Sequence, residues 1–403
     1  MTEQQVRFAA RLGAAMAAAN YPVTLIRQML SQLSANYALP EDFIALPNHV
    51  QVAGPTEAGA SVLRTATLDE DLRFDQMFAL ADLVRDVVGG KVGPVEGEAR
   101  LDALLDRPPP YRTWVNMLGY GIQSAGLALV LEPTPLNVLA AAGLGVMVGG
   151  FWALGQRVTS LAPLLPALSS FAVTIICIIG VRQLGIDHLG LRALIPPLAM
   201  FLPGAAITLA VIELTSRDVI SGGSRLIAGF IQIVQLAFGI LIAFQLMGMP
   251  ENQLTAAQVN TVGPWAPWLG VAVYALGVML FLAPRRSFLP WLILITYSAF
   301  VGQRAGDVFV GSYASGFCGA LVLAVVALAA SRYAAGGPPA LTMILPGFWL
   351  LVPGSMALIG FTELFGMEDD SALPATLLSM TSVAFGLQAG LIVWRLIRGR
   401  AQA

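Results

Sequence analysis

Ten apolar segments begin after Tyr111 and run almost to the C-terminus: 114–131, 136–154, 161–180, 193–214, 226–247, 265–282, 288–303, 308–330, 341–363 and 374–396. A membrane-spanning helix needs about 20 mostly apolar residues. In lipid every backbone N–H and C=O must be satisfied internally, and segments of this length do so as α-helices. The pattern therefore predicts an all-α polytopic membrane protein with ten transmembrane helices. Composition agrees, because 57% of residues are hydrophobic and only 11% are charged. An ordinary soluble domain is about 25% charged, so this chain lacks the polar surface to face water on all sides. The net charge of −2 supplies no basic field for nucleic acid. The expected partner is a lipid bilayer.

The charges concentrate in residues 1–110, which read as a small α+β domain. Helices are expected at 3–19, 23–36, 70–89 and 94–106, and short strands at 43–46, 50–53 and 61–65. Pro22 and Pro94 suit first helical turns, and Gly89-Gly90 closes a helix. Arg107-Pro-Pro-Pro-Tyr111 forms a stiff linker. No nucleophile–base pair or phosphate loop is present, and His49 reads as a strand-edge residue, so no catalytic role is expected. Cys177 and Cys318 lie in apolar segments and read as buried small hydrophobes, with no metal site or cofactor implied. The opening MTEQQVRFAARLG lacks the basic and apolar regions of a cleaved signal peptide.

Orientation follows from arginine placement. With the N-terminus inside, Arg107, Arg112, Arg157, Arg217, Arg225, Arg285, Arg286, Arg332, Arg395, Arg398 and Arg400 are cytoplasmic. Only Arg182, Arg192 and Arg304 then face outward. Both termini are expected in the cytoplasm, and the chain in a bacterial inner membrane.

The membrane part repeats itself. FLPGAAITLAVIEL (201–214) resembles LVPGSMALIGFTEL (351–364), matching Pro203 to Pro353, Gly204 to Gly354 and Glu213 to Glu363. Pro196 and Pro346 keep the same offset, and Gly155-Gln-Arg157 matches Gly302-Gln-Arg304. The division is thus 1–110, 111–248 and 249–403. Each repeat holds five spans, and an odd number makes the second enter from the opposite side. A 5+5 inverted repeat with broken helices at mid-depth is an architecture of secondary transporters.

The stretches LGAAMAAANYPVTLIRQMLSQLSANYAL and LRFDQMFALADLVRDVVGGKVGPVEGEARLDALL, followed by PGAAITLAVIELTSRDVISGGSRL, resemble the threonine/serine exporter family. The resemblance covers nearly the whole chain. It implies export of threonine and serine as proton antiport; split relatives imply dicarboxylate export as an alternative. A homo-oligomer is compatible with either. A third reading, a membrane-anchored enzyme or signalling module acting through residues 1–110, is disfavoured because one span would suffice as an anchor.

Candidate substrate-binding residues are Pro203, Gly204, Thr208, Pro353, Gly354 and Ser355. Each proline should interrupt its helix and free the carbonyl four residues back, at Ala199 and Trp349. A break exposes N–H groups and carbonyls that suit a zwitterion, although a plain proline kink is the simpler alternative. Glu213 and Glu363 lie about 15 Å beyond each break at 1.5 Å per residue. They are candidates for gating or proton coupling, with Glu213 paired to Arg157 inside and Glu363 to Arg304 outside. Asp307 reads as the start of the next span beside Arg304, either a capping acid or part of the outer gate.

Overall fold

The structure is a computed structural model that describes residues 3–37, 42–55, 61–68, 71–184, 189–248, 254–255, 260–333, 340–351 and 372–401. The chain forms two compact units. One is Met1–Pro110 with Leu209–Arg225; the other is Tyr111–Thr208 with Leu226–Ala403.

In the first unit, α1 (Glu3–Ala18) and α2 (Val23–Tyr37) precede β1 (Phe43–Leu46), β2 (His49–Pro55) and β3 (Ser61–Ala66). The helices α3 (Phe74–Val88) and α4 (Pro94–Leu105) follow. The strands form an antiparallel sheet of order β1-β2-β3, with Val52 opposite both Phe43 and Arg64. Helix α1 packs on β2 and β3. Gly13 permits that approach, since a Cβ there would lie 2.9 Å from Val50 Cγ1. Phe8, Leu12, Met16, Ile26, Leu30, Leu33, Leu80 and Leu101 are fully buried and form the core. The helix expected at 70–89 starts later, at Phe74, because Arg73 is extended (φ −65°, ψ 154°) and its N–H donates to Gln76 Oε1 at 2.9 Å. The Gln76 amide in turn donates to the carbonyls of Leu104 and Leu105 at 3.1 Å, satisfying the end of α4.

A carboxylate joins the first and last of these helices. Glu98 on α4 lies 2.8 Å from Arg7 and 3.1 Å from Arg11 on α1, and Arg11 also reaches Asp102 at 2.6 Å. Burial pushes the Glu98 carboxyl up, but the two guanidinium groups outweigh it and hold the carboxyl below its ordinary range. Burial also pushes the Tyr21 hydroxyl up to about 12.

The second unit is helical. It contains α5 (Thr113–Leu131), α6 (Pro135–Arg157), a 3-10 turn (Thr159–Leu164), α7 (Leu165–Leu184), α8 (Leu191–Leu198) and a second 3-10 turn (Ala199–Phe201). Helix α9 (Gly204–Thr215) begins here and ends in the first unit, whereas α10 (Val219–Met247) does the reverse. Then come α11 (Ala266–Phe281), α12 (Leu289–Phe309), α13 (Ser312–Tyr333), α14 (Ala340–Leu350) and α15 (Ala372–Ala401). Leu189–Gly190 pairs in parallel with Leu254–Thr255. Helix α6 is capped by Thr134, whose hydroxyl accepts the Asn137 N–H at 3.2 Å.

Among the described residues, five helices are long and apolar enough to cross a membrane, six if the bent pair around residue 203 counts as one span. Large apolar side chains such as Leu139, Ile179, Ile227, Phe230 and Phe238 stand exposed on them. Contiguous apolar surface of this extent needs lipid rather than water. One boundary differs from expectation. Asp307 lies in the last turn of α12, not at the start of the next span. The helix runs past Arg304 to Phe309 and stops at Gly311, whose φ of +100° no helix can continue.

Candidate functional site

The fourth apolar segment is broken. Its two parts, Leu194–Phe201 and Gly204–Thr215, meet at 53°. Pro196, Pro197 and Pro203 explain the break, because none can donate a backbone N–H. The Ala199 carbonyl, expected to be free, accepts the Leu202 N–H at 3.3 Å, so the chain tightens into a 3-10 turn instead of opening. Regular bonding resumes at Ile207 N–H to Pro203 carbonyl, 3.0 Å. Pro203, Gly204 and Thr208 are all buried, with Thr208 one turn beyond Gly204 on the same helical face. Pro353, Gly354, Ser355 and Glu363 lie outside the described residues.

A tyrosine completes the bonding at the break. The fully buried Tyr120 of α5 donates its hydroxyl to the Pro197 carbonyl and accepts the Met200 N–H, both at 3.0 Å. These backbone groups would otherwise seek i→i−4 partners that the interrupted helix does not supply. In the later half Tyr274 of α11, also fully buried, donates to the Pro346 carbonyl at 3.0 Å. Pro346 is the repeat counterpart of Pro196.

The two tyrosine-bearing helices lie directly against each other. Gly119 and Gly126 of α5, and Gly270 and Gly277 of α11, are each seven residues apart and form the seam. A Cβ at Gly119 would press on Leu280 and Phe281, one at Gly126 on Tyr274, and one at Gly277 on Gln123. Advancing along α5 thus means retreating along α11, so the pair is antiparallel. The rings of Tyr120 and Phe281 lie 4.9 Å apart. Gln123 and Ser124 are buried beside Tyr120, and Gln123 Oε1 has no hydrogen-bond partner among the described residues.

The charged candidates behave differently. Glu213, at the end of α9, is paired with Arg225 and not with Arg157: Arg225 Nε lies 3.1 Å from its Oε2. Its Oε1 accepts the Val23 N–H, the first of α2, at 3.1 Å. All three belong to the first unit. The Glu213 side chain is wholly buried and that of Arg225 is 10% exposed. Asp218 joins the same cluster, 2.9 Å from Arg27. The pairing follows from a tight turn. The Asp218 N–H donates back to the Glu213 carbonyl at 2.9 Å across Arg217 (φ 63°), which returns α10 alongside α9. Arg157 ends α6 and is exposed, and Arg304 and Asp307 are exposed near the end of α12.

Arg225 reads in sequence only as a topology-setting charge, and Tyr120 and Tyr274 as apolar-segment aromatics. A clue to Arg225 is its spacing of twelve residues from Glu213 across a turn. A clue to the tyrosines is a hydroxyl inside an apolar span, which needs a buried acceptor.

Comparison with known proteins places these features in a family. Residues 7–247 match the family described as "Putative threonine/serine exporter". The chain is 23% identical over 362 residues to pheromone-regulated membrane protein 10 of Eremothecium gossypii, covering 88% of this chain and 48% of the relative. It is 23% identical over 363 residues to the protein of the same name in Saccharomyces cerevisiae, covering 88% and 47%. The chain thus spans about half the length of these curated relatives. No solved structure matches it. With the family profile covering more than half of its residues, the broken span among them, the chain belongs to the threonine/serine exporter family.

Proposed function

We propose that this protein is a secondary transporter that exports small hydroxy amino acids, threonine and serine, by proton antiport across a bacterial inner membrane. The observation that carries the reading is the buried break at Pro203–Gly204 in an otherwise apolar span. Because intrahelical bonding in α9 begins only at the Ile207 N–H, the N–H groups at its start lack intrahelical partners and suit the carboxylate end of a zwitterion. Thr208, one turn on, offers a hydroxyl to the substrate side chain.

The ten-span, 5+5 inverted repeat belongs to the same proposal. Three observations favour it. The sequences around 203 and 353 match, α5 and α11 pack antiparallel, and each carries a buried tyrosine bonded to a proline carbonyl of the span three further on in its own half. Pro353, Gly354 and Ser355 are the second half of the proposed site, and Glu363 with Arg304 and Asp307 its outer gate. Glu213 with Arg225 replaces the pair first expected with Arg157 as the inner charge pair. Both termini are assigned to the cytoplasm on the arginine distribution.

The test is counterflow in proteoliposomes. Labelled threonine is expected to accumulate against internal threonine or serine, and a pH gradient is expected to drive it. Counterflow no greater than in empty liposomes, or exchange of dicarboxylates alone, overturns the reading.

A further inference from the structure

Helix α5 keeps two amide side chains inside an apolar span. Gln123 stands near the middle of its 19 residues and is only 5% exposed. Its Oε1 has no hydrogen-bond partner among the described residues. Asn116 lies two turns earlier and, at 3.6 residues per turn, nearly in line with Gln123. Its Oδ1 is also buried without a partner among the described residues. Buried acceptors are nearly always satisfied, and polar groups inside a span mark functional positions.

Two faces of α5 are already taken. Gly119 and Gly126 face α11, and Ser124 turns toward α6, where a Cβ at Gly145 would lie 2.5 Å from its Oγ. The line from Asn116 to Gln123 runs between these faces, next to Tyr120. The Tyr120 hydroxyl accepts the Met200 N–H at 3.0 Å, so this part of α5 stands beside the broken span. The later half shows what the helix pair itself requires. Trp114 and Tyr120 recur at the same spacing as Trp268 and Tyr274, which aligns Asn116 with Gly270 and Gln123 with Gly277. Helix α11 thus makes the same seam, and buries the matching tyrosine, with no amide at either place.

We infer that Gln123 is a specificity-determining residue of the transport site, accepting a hydrogen bond from the ammonium group of the substrate, with Asn116 the next acceptor toward the start of α5. This role belongs to the proposed export function and rests on it, naming the part of the substrate that one side chain reads. An ammonium group offers only donors, and an amide oxygen is a neutral acceptor. The N–H groups at the start of α9 suit the carboxylate, so a zwitterion is divided between two elements. A neutral amide also meets the cation without leaving a fixed charge in the apolar span between transport events.

The experiment compares threonine with two analogues in proteoliposomes of the full-length protein. One is β-hydroxybutyrate, which lacks the ammonium group; the other is α-aminobutyrate, which lacks the hydroxyl. Gln123→Met keeps the length of the side chain and removes both polar atoms, and kcat/KM is measured for each substrate. The preference for threonine over β-hydroxybutyrate is expected to fall about ten-fold or more in Gln123→Met, the effect of one hydrogen bond to a charged group. The preference for threonine over α-aminobutyrate is expected to stay as in the wild type. Equal losses for all three substrates, the result of a packing role, overturn the inference, as does an unchanged preference. Gln123→Cys checks the placement without reference to transport. A water-soluble cationic thiol reagent is expected to label it above the level set by Cys177 and Cys318 in the wild type, and threonine is expected to slow the labelling. Labelling no greater than in the wild type overturns the inference. Wild-type protein that carries no threonine refutes the functional reading instead, while labelling still decides whether Gln123 lines a path that water reaches.

Discussion

Glu213 carries more structural obligation than its place in an apolar span suggests. Its carboxylate meets both Arg225 and the first N–H of α2 with no exposure to solvent. Removing one partner of a buried pair leaves the other charge uncompensated and costs about 3–5 kcal/mol. Glu213→Gln and Arg225→Met are each expected to destabilise the full chain by about that amount, and the double variant by much less, as read in thermal unfolding. Equal and additive losses would refute the pairing. Glu98 makes a second prediction. Its folded carboxyl sits below the ordinary value of 4.5, so its contribution is present above that pH and is lost as the solution is acidified through the lower folded value. Protection factors for hydrogen exchange in α1 and α4 should therefore fall below about pH 4 in the wild type, and show a weaker acid dependence in Glu98→Gln. At this scale the sequence was half readable. Glu213 stands out because acids are rare in apolar runs. Its partner does not, because the pairing depends on a turn at Arg217 and on docking against α2. The tyrosines were hidden for the opposite reason, being aromatic residues among many aromatic and aliphatic ones.

Helices announce themselves through their ends. The start of α2 follows Pro22, α4 starts at Pro94 and α3 ends before Gly89-Gly90, so these ends were legible to within a residue or two. Two ends were misread. Helix α3 begins at Phe74 because Gln76, rather than the acids upstream, supplies its cap. Helix α12 outlasts the charges at Arg304 and Asp307 because a polar residue does not stop a helix, whereas a left-handed glycine does. The break at Pro203 was legible from proline chemistry alone. Its detail was not, since the Ala199 carbonyl found Leu202 instead of remaining open. Pro203→Ala restores an N–H that can reach Ala199, and it removes a ring that costs a helix interior about 3 kcal/mol. The variant is expected to straighten the span and leave the protein folded, with threonine counterflow reduced roughly tenfold or more, as a barrier increase of about 1.4 kcal/mol suffices for. Unaltered counterflow would relegate the bend to a passive kink.

The molecule as a whole divides in a way its sequence does not declare. Composition changes sharply near Tyr111, and the apolar segments and the α+β segment are both legible from it. Yet residues 209–225 cluster with residues 1–110, because Glu213, Asp218 and Arg225 gather around Val23 and Arg27. Charges inside an apolar stretch read locally as topology signals, and only their three-dimensional partners show which unit they complete. A fragment of residues 1–110 should therefore exchange its α2 N-terminal amides faster than the full chain does. Equal protection in fragment and full chain would show that the added segment contributes nothing. The same arrangement sets an order of events on the ribosome. Arg225 emerges 115 residues after Pro110, which at bacterial and eukaryotic elongation rates takes roughly 6 to 23 seconds. Throughout that interval the nascent N-terminal segment lacks the carboxylate that meets the first N–H of α2, and the cluster closes only when the end of α9 and the start of α10 have been delivered.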